Sequence, residues 1–283
     1  MKLVSQNYGK QRVRVLKVLR SEPRHEVKEI EFGIRLEGDF DSSYTAGDNS
    51  SVVPTDTMKN AVHALAHQHL ERQTEPFALL LAEHFLQQYP QVQRVTIETT
   101  ERRWNRLTVG GQPHNHAFSS GEARPASKVV CARGGLAEIE SGITDLLIMK
   151  STGSGFEGYP TCAWTTLPGT SDRVLATSLT AMWRWGASPA DFNAASVAIL
   201  DAMLSAFAVN YSPSVQATLY EMAGAAFASC AEITRIKLTM PNKHYLPARL
   251  EPFGLDGTGV SFVPMDEPHG QIEAVIARDE HLS

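Results

Sequence analysis

The chain has 283 residues, of which 42% are hydrophobic and 20% charged, the balance of a protein that builds a core rather than a disordered one. A net charge of −5 leaves no basic footprint for nucleic acid, so an anionic ligand needs a local cluster of donors. No run approaches the roughly twenty apolar residues that span a bilayer, and the start MKLVSQNYGKQRVRVLKV lacks a signal-peptide core. Cys131, Cys162 and Cys230 are far apart with no CxxC pair, which argues against a disulfide framework and a cysteine-rich zinc site. The expected location is cytoplasmic, with no membrane partner. The final DEHLS lacks the peroxisomal SKL address.

Arg12 to Leu19 alternates, with Val13, Val15 and Val18 near one face and Arg12, Arg14 and Lys17 interleaved, which predicts a strand with one wet side. His25 to Leu36 carries Val27, Ile30, Phe32, Ile34 and Leu36 largely in period two, and Ser21-Glu22-Pro23 joins the two as an antiparallel pair. After a polar loop, Met58, Ala61, Val62 and Leu65 take helical spacing from a start at Thr55 or Asp56, either of which suits an N-cap. A second helix is expected from about Pro76 to Gln88, then strands at Gln93 to Thr100 and around Val129-Val130.

The second half repeats that order. Strands are expected at Leu146 to Lys150 and Val174 to Trp185, and a strongly apolar helix keeps Phe192, Ile199, Met203 and Phe207 on one face. Ser212-Pro213 reads as an N-cap with proline at the first helical position, opening a helix from Ser214 to about Cys230. Strands follow at Thr234 to Thr239, near Val260 to Val263 and at Ile272 to Ala277. Two rounds of strand, strand, helix, helix, strand, strand imply a duplicated α+β unit, 1–134 and 135–283, with Gly134-Gly135 as the seam. Antiparallel sheets with helices on one face leave the other face to be covered. Closure into a barrel by oligomerisation would also remove the sheet edges.

Taken singly, the polar residues that could carry chemistry have ordinary explanations. Lys10 at a strand start is a solvated charge, Thr55 and Asp56 are capping residues, and Gln216 in a first helical turn is a surface amide. His244, in the polar run Pro241-Asn242-Lys243-His244-Tyr245, is a structural histidine by the same reasoning. Together they fall inside a longer pattern. NYGKQRVRVLKV from Asn7, SVVPTDTMKN from Ser51, HNHAF from His114 and IMKSTGSGFEGY from Ile148 come in order, followed by TTLPGTSDR from Thr165, SVQATLYEMA from Ser214 and MPNKHY from Met240. This series resembles the urate oxidases over nearly the whole chain.

The resemblance implies two tandem tunnelling-fold (T-fold) units per chain, assembled as a homotetramer with active sites between subunits. It further implies oxidation of urate by dioxygen and water to 5-hydroxyisourate and hydrogen peroxide, with no cofactor and no metal. A flat urate anion would stack on Phe156 beside Leu167, gripped by Arg173 and Gln216, with backbone groups of Asp56 and Val215 on the rim. Lys10, Thr55 and His244 would form a proton relay, and Asn242 with Thr55 would hold oxygen or water above the ring. A lysine desolvated beside Arg173 should exchange protons near neutral pH. Family geometry sets Thr55 against Lys10 and His244 across a subunit boundary. The segments 158–164 and 251–259 depart from the family pattern.

Two rival readings remain open. His114 and His116 share a strand face, and His63, His67 and His69 lie on a helix with an i, i+4 pair, which would suit a zinc-dependent T-fold enzyme acting on pterins or purines. A non-catalytic purine-binding protein would keep the pocket and lose the relay.

Overall fold

The structure, a computed structural model, describes residues 1–20, 24–248, 250, 252, 254 and 260–278. Most of the 251–259 segment, the Ser21-Glu22-Pro23 turn and the terminal DEHLS therefore lie outside the described residues. In chain order the elements are β1 (Tyr8–Leu19), β2 (Glu26–Gly38), α1 (Asp41–Thr45), α2 (Thr55–His69), α3 (Thr74–Gln88), β3 (Val92–Arg102), β4 (Trp104–Val109), β5 (Gln112–Ser120) and β6 (Arg124–Ala132). They continue with β7 (Glu138–Lys150), β8 (Leu175–Trp185), α4 (Phe192–Val209), α5 (Val215–Ser229), β9 (Ile233–Thr239), β10 (Asn242–Pro247), β11 (Phe262–Gly270) and β12 (Glu273–Ala277). Two compact units result, Met1–Gly142 with Ala190–Asn193, and Ile143–Pro189 with Ala194–Ser283. They part within β7, and Gly134, at φ +72°, makes the turn that leads into it.

In the first unit β1, β2, β3 and β6 pair antiparallel in that order. Ile30, Phe32, Ile34 and Leu36 of β2 are fully buried in strict period two, and α3 covers β3 and β6 with Phe77, Ala78, Leu81 and Phe85. Phe32 meets Phe77 edge-on at 5.5 Å. Each such fully buried side chain contributes about 1.5–3 kcal/mol, enough to fix the register of the whole strand. Val27 does not join this row. Lys28 takes the inward slot, because its Nζ donates to Arg72 O at 2.5 Å and pairs with Glu101 at 3.0 Å, so the buried charge is satisfied. The polar stretch between β3 and β6 forms a separate hairpin, β4–β5, turned by Gly110 and Gly111 at positive φ.

In the second unit β8 pairs with β9 and β10, β10 with β11, and β9 with β12, all antiparallel. Helix α5 packs on β9 and β12 through Leu219, Met222, Ala223 and Ala226. Helix α4 is long and apolar enough by composition to cross a membrane. Its buried Phe192, Ile199, Met203 and Phe207 nevertheless recur on one stripe, as in a helix lying on a core.

Candidate functional site

In the first unit the polar candidates gather where β1 meets the start of α2. Gly9 must be glycine there, since a Cβ would overlap the carbonyl of Ile34 on the paired strand. Directly after Lys10 the β1–β2 register shifts, with Arg12 at φ +60°. A bulge of this kind re-aims the side chains beside it. Tyr8 ties strand to helix: its hydroxyl accepts from Val53 N at 2.7 Å and donates to Val53 O at 3.2 Å, two residues before Thr55. Its ring packs edge-on against Phe40 at 4.8 Å. Burial raises the Tyr8 phenol, which keeps it a neutral donor.

The capping expectation for Thr55 and Asp56 is corrected. Pro54 is the N-cap, no side chain caps the helix, and Thr55 is the first helical residue. Proline at this position lacks the hydroxyl or carboxylate that caps, so the first-turn N–H groups stay available. Asp56 bonds along its own helix, to Lys59 at 2.5 Å and Asn60 at 2.9 Å. These bonds, with a smaller contribution from Lys10, hold its carboxyl below the usual range. Lys10 is thus within electrostatic reach of Asp56 in the same chain.

In the second unit three segments are knotted together. Gly155 N donates to Ser212 O at 2.8 Å and Ser212 N to Gly153 O at 2.9 Å. Phe156 and Thr170 exchange backbone bonds at 2.7 and 3.1 Å, and Arg173 N donates to Ser154 O at 2.7 Å. The knot assembles the sequence-predicted residues: the Arg173 guanidinium carbon lies 5.4 Å from the Phe156 ring centroid, and Val215 and Gln216 begin α5 just beyond Ser212.

The second capping expectation also moves. Ser214 is the N-cap, its Oγ accepting from Ala217 N at 3.1 Å. Ser212 is held extended by the bridge to Ser154 and its hydroxyl meets Thr218, so Pro213 precedes the helix. The N–H groups of Val215 and Gln216 therefore have no acceptor within the helix.

Arg173 is not a surface ion pair with Asp172. Asp172 is engaged by Thr152 Oγ1 at 2.9 and 3.0 Å and by Gly153 N at 2.9 Å, and these bonds, Thr152 first, lower its carboxyl. Burial pushes the Arg173 guanidinium down, Tyr211 opposing, and its Nε is buried without a partner. An arginine keeps its charge even so, and an unpaired buried donor costs about 1–3 kcal/mol. The site holds a cation ready for an acceptor.

Tyr159, not anticipated from sequence, stacks on Phe156 with centroids 4.8 Å apart and planes 16° from parallel. Its hydroxyl donates to Leu167 O at 2.5 Å, which links two of the expected pocket residues. Leu167 is otherwise exposed.

Asn242 sits opposite Thr177 on β8 and Gly270 on β11, and His244 opposite Met265, with a register shift between Asn242 and His244. Within the described residues, no side-chain hydrogen bond engages Lys10, Thr55, Gln216, Asn242 or His244. The rival metal ligands do not converge. Among the described residues no three His, Cys, Asp or Glu side chains gather to hold an ion. The His114 and His116 rings meet edge-on at 4.6 Å with His25 beyond, and His63, His67 and His69 are exposed.

A family model described as Uricase matches residues 6–130 and 139–273. The chain is 39% identical to a uricase of Arthrobacter globiformis, covering 96% of this chain and 88% of that one. It is also 39% identical to Uricase-2 of Phaseolus vulgaris, covering 96% and 94%. A crystal structure of the uricase from Arthrobacter globiformis superposes with a TM-score of 0.93 at 38% identity, covering 99% of this chain and 96% of that chain.

Proposed function

The chain belongs to the uricase family, and from that premise we propose that it oxidises urate with dioxygen and water to 5-hydroxyisourate and hydrogen peroxide, a step of purine breakdown. The observation that carries the reading is the half-buried Arg173, its Nε buried without a partner and its guanidinium beside Phe156, in a knot that also ties in Ser212, which lies just ahead of a helix start with free N–H groups. A flat anion satisfies all three features at once. Phe156 takes the ring face, the planar guanidinium matches adjacent oxygen and nitrogen acceptors, and Gln216 meets a mixed donor–acceptor edge without adding negative charge.

The chain's remaining task is proton management. Urate must lose a second proton before its ring can reduce oxygen, and urate itself supplies the two electrons that end in peroxide. Lys10, Thr55 and His244 form the relay that carries that proton and later delivers protons to the peroxide. Asn242 and Thr55 hold dioxygen, then water, over the ring. In this scheme no cofactor or metal takes part, and the protein works in the cytoplasm.

We further propose a homotetramer in which the helix start of one subunit, with Lys10, Thr55 and Asp56, meets the Phe156–Arg173–Gln216 knot and His244 of another. The proximity of Lys10 to Asp56 within one chain supports grouping these residues on one side. Mixing purified protein with urate and following urate absorbance and oxygen uptake, with and without chelator, tests the chemistry. Absence of turnover sinks it, and chelator-sensitive turnover would revive a metal reading. For the shared site, Thr55→Ala and Arg173→Met subunits, each inactive alone, should regain activity when mixed. Verified mixed tetramers without activity would count against it.

A further inference from the structure

Arg173 is placed by its backbone and its neighbours rather than by an ion pair. Its Nε has no partner, and Asp172 is already engaged by Thr152 and Gly153. Backbone bonds fasten the 170–173 segment to the 153–156 segment, and the 153–156 segment to Ser212. Tyr211 adds a link made by a side chain. Its hydroxyl donates to Ser171 O at 2.9 Å, reaching from the residue before Ser212 to the segment that carries Arg173.

The same oxygen fills the space above Gly155. A Cβ on that residue would collide with Tyr211 Oη and crowd Thr170 O and Ser171 Cα. Glycine at 155 therefore allows the phenol to lie between the residue before Phe156 and the segment before Arg173. Tyr211 is otherwise half exposed and lies outside the set of residues placed against the substrate.

We infer that Tyr211 is a positioning residue for the urate grip: its phenol sets the distance between the Arg173 guanidinium and the Phe156 ring. The inference rests on Arg173 being the residue that holds the anion. A loose spacer would leave ring and cation each present but misregistered, and errors of about 1 Å in such sites cost large factors in binding or rate. Because the Tyr211–Ser171 bond is exposed, water can replace it, so the loss should register in substrate affinity rather than in folding.

The test is a cycle of Tyr211→Phe and Arg173→Lys, singly and together, read as urate KM, kcat and Tm. Tyr211→Phe should raise KM about tenfold, with kcat within about twofold and Tm almost unchanged. In the Arg173→Lys background the same change should move KM by less than about twofold, because the grip it serves is already lost. An unchanged KM in Tyr211→Phe overturns the inference. So does an effect of equal size in both backgrounds, or a joint fall of kcat and Tm, which would mark a merely structural tyrosine. If Arg173→Lys alone leaves KM unaltered while the wild type turns over urate, the role of Arg173 is wrong and the inference falls with it. If the wild type does not turn over urate, the proposed function itself has failed.

Discussion

Replacing Tyr8 by phenylalanine removes one oxygen and tests how the first-unit residues are mounted. The hydroxyl makes both hydrogen bonds to the Val53 backbone, at 2.7 and 3.2 Å, and Val53 is only 1% exposed. Each bond is worth about 1 kcal/mol net, and a buried amide left without a partner adds a further penalty. A total of about 2–3 kcal/mol follows, since Tyr8 itself is only part-buried and water can reach some of the site. For a chain of this size that is a fall in Tm of roughly 5–10 °C. The Phe40 contact survives the substitution, so the loss is confined to the anchor of the 51–54 loop. Thr55 follows that loop directly, so its hydroxyl would wander relative to Lys10, and kcat should drop about tenfold. The urate KM should change far less, because Phe156, Arg173 and Gln216 belong to the other unit. Thermal melts and steady-state oxygen uptake on the same preparation decide it. A Tm fall with kcat intact would mean that Tyr8 holds the loop but not the relay, and an unchanged Tm would refute the energetic reasoning altogether.

Thr177 is fully buried and its Oγ1 has no partner, so Thr177→Val should raise stability by about 1 kcal/mol in a denaturant titration. A clear loss would mean that the hydroxyl is satisfied by bound water or ligand. The three cysteines should separate by reactivity. Cys162 is exposed, and the Trp164 N–H, with Thr165, favours its thiolate, whereas burial raises Cys131 and Cys230. Iodoacetamide at pH 8 should therefore alkylate Cys162 first by peptide mass analysis, with the other two labelled only on unfolding. Burial, then Glu83, pushes the Cys131 thiol up to about 11. The folded state thus holds its proton longer than the unfolded state, and this contribution is complete below about pH 9 and is lost as pH rises through about 11. Cys131→Ala protein, though less stable at pH 8, should lose less stability over that alkaline window.

How far the sequence reveals this molecule depends on the range of the forces involved. Period two in β2 and the apolar stripe of α4 are local signals set by burial, and both elements form where expected. Lys28 broke the pattern in β2 because its compensation, Glu101 and the Arg72 carbonyl, is distant in sequence. Both helix starts were located, yet the caps shifted, to Pro54 and Ser214. Capping preference identifies residue types, whereas tertiary bridges such as Ser154–Ser212 decide which serine is extended and which caps. The β4–β5 hairpin has little buried surface to generate a period, and only the strand face shared by His114 and His116 was read from it. Phe156, Arg173 and Gln216 became legible through family resemblance, and the approach of Arg173 to Phe156 is a product of the knot. Tyr8 and Tyr211 were not legible, because their roles consist of hydrogen bonds to backbone atoms far along the chain. A backbone carbonyl leaves no trace in side-chain pattern.

These attachments separate binding from proton transfer in a way that kinetics can read. The proposed grip is fastened by five backbone bonds with tyrosine side chains at its margins, so the backbone holds the segments together and the tyrosines set their finer spacing. The start of α2 is held to β1 by a tyrosine hydroxyl, and the Lys10 amine beside it is engaged by no hydrogen bond among the described residues. The proposed relay requires Lys10 to alternate between donor and acceptor roles, which a strong ion pair would prevent. Substitutions that loosen the knot should therefore appear in KM, and those that loosen the strand–helix anchor in kcat. Tyr211→Phe and Tyr8→Phe delete the same atom from the same residue type, so opposite kinetic signatures would be due to position alone. Identical signatures would mean that the knot and the strand–helix anchor act as one mechanical unit.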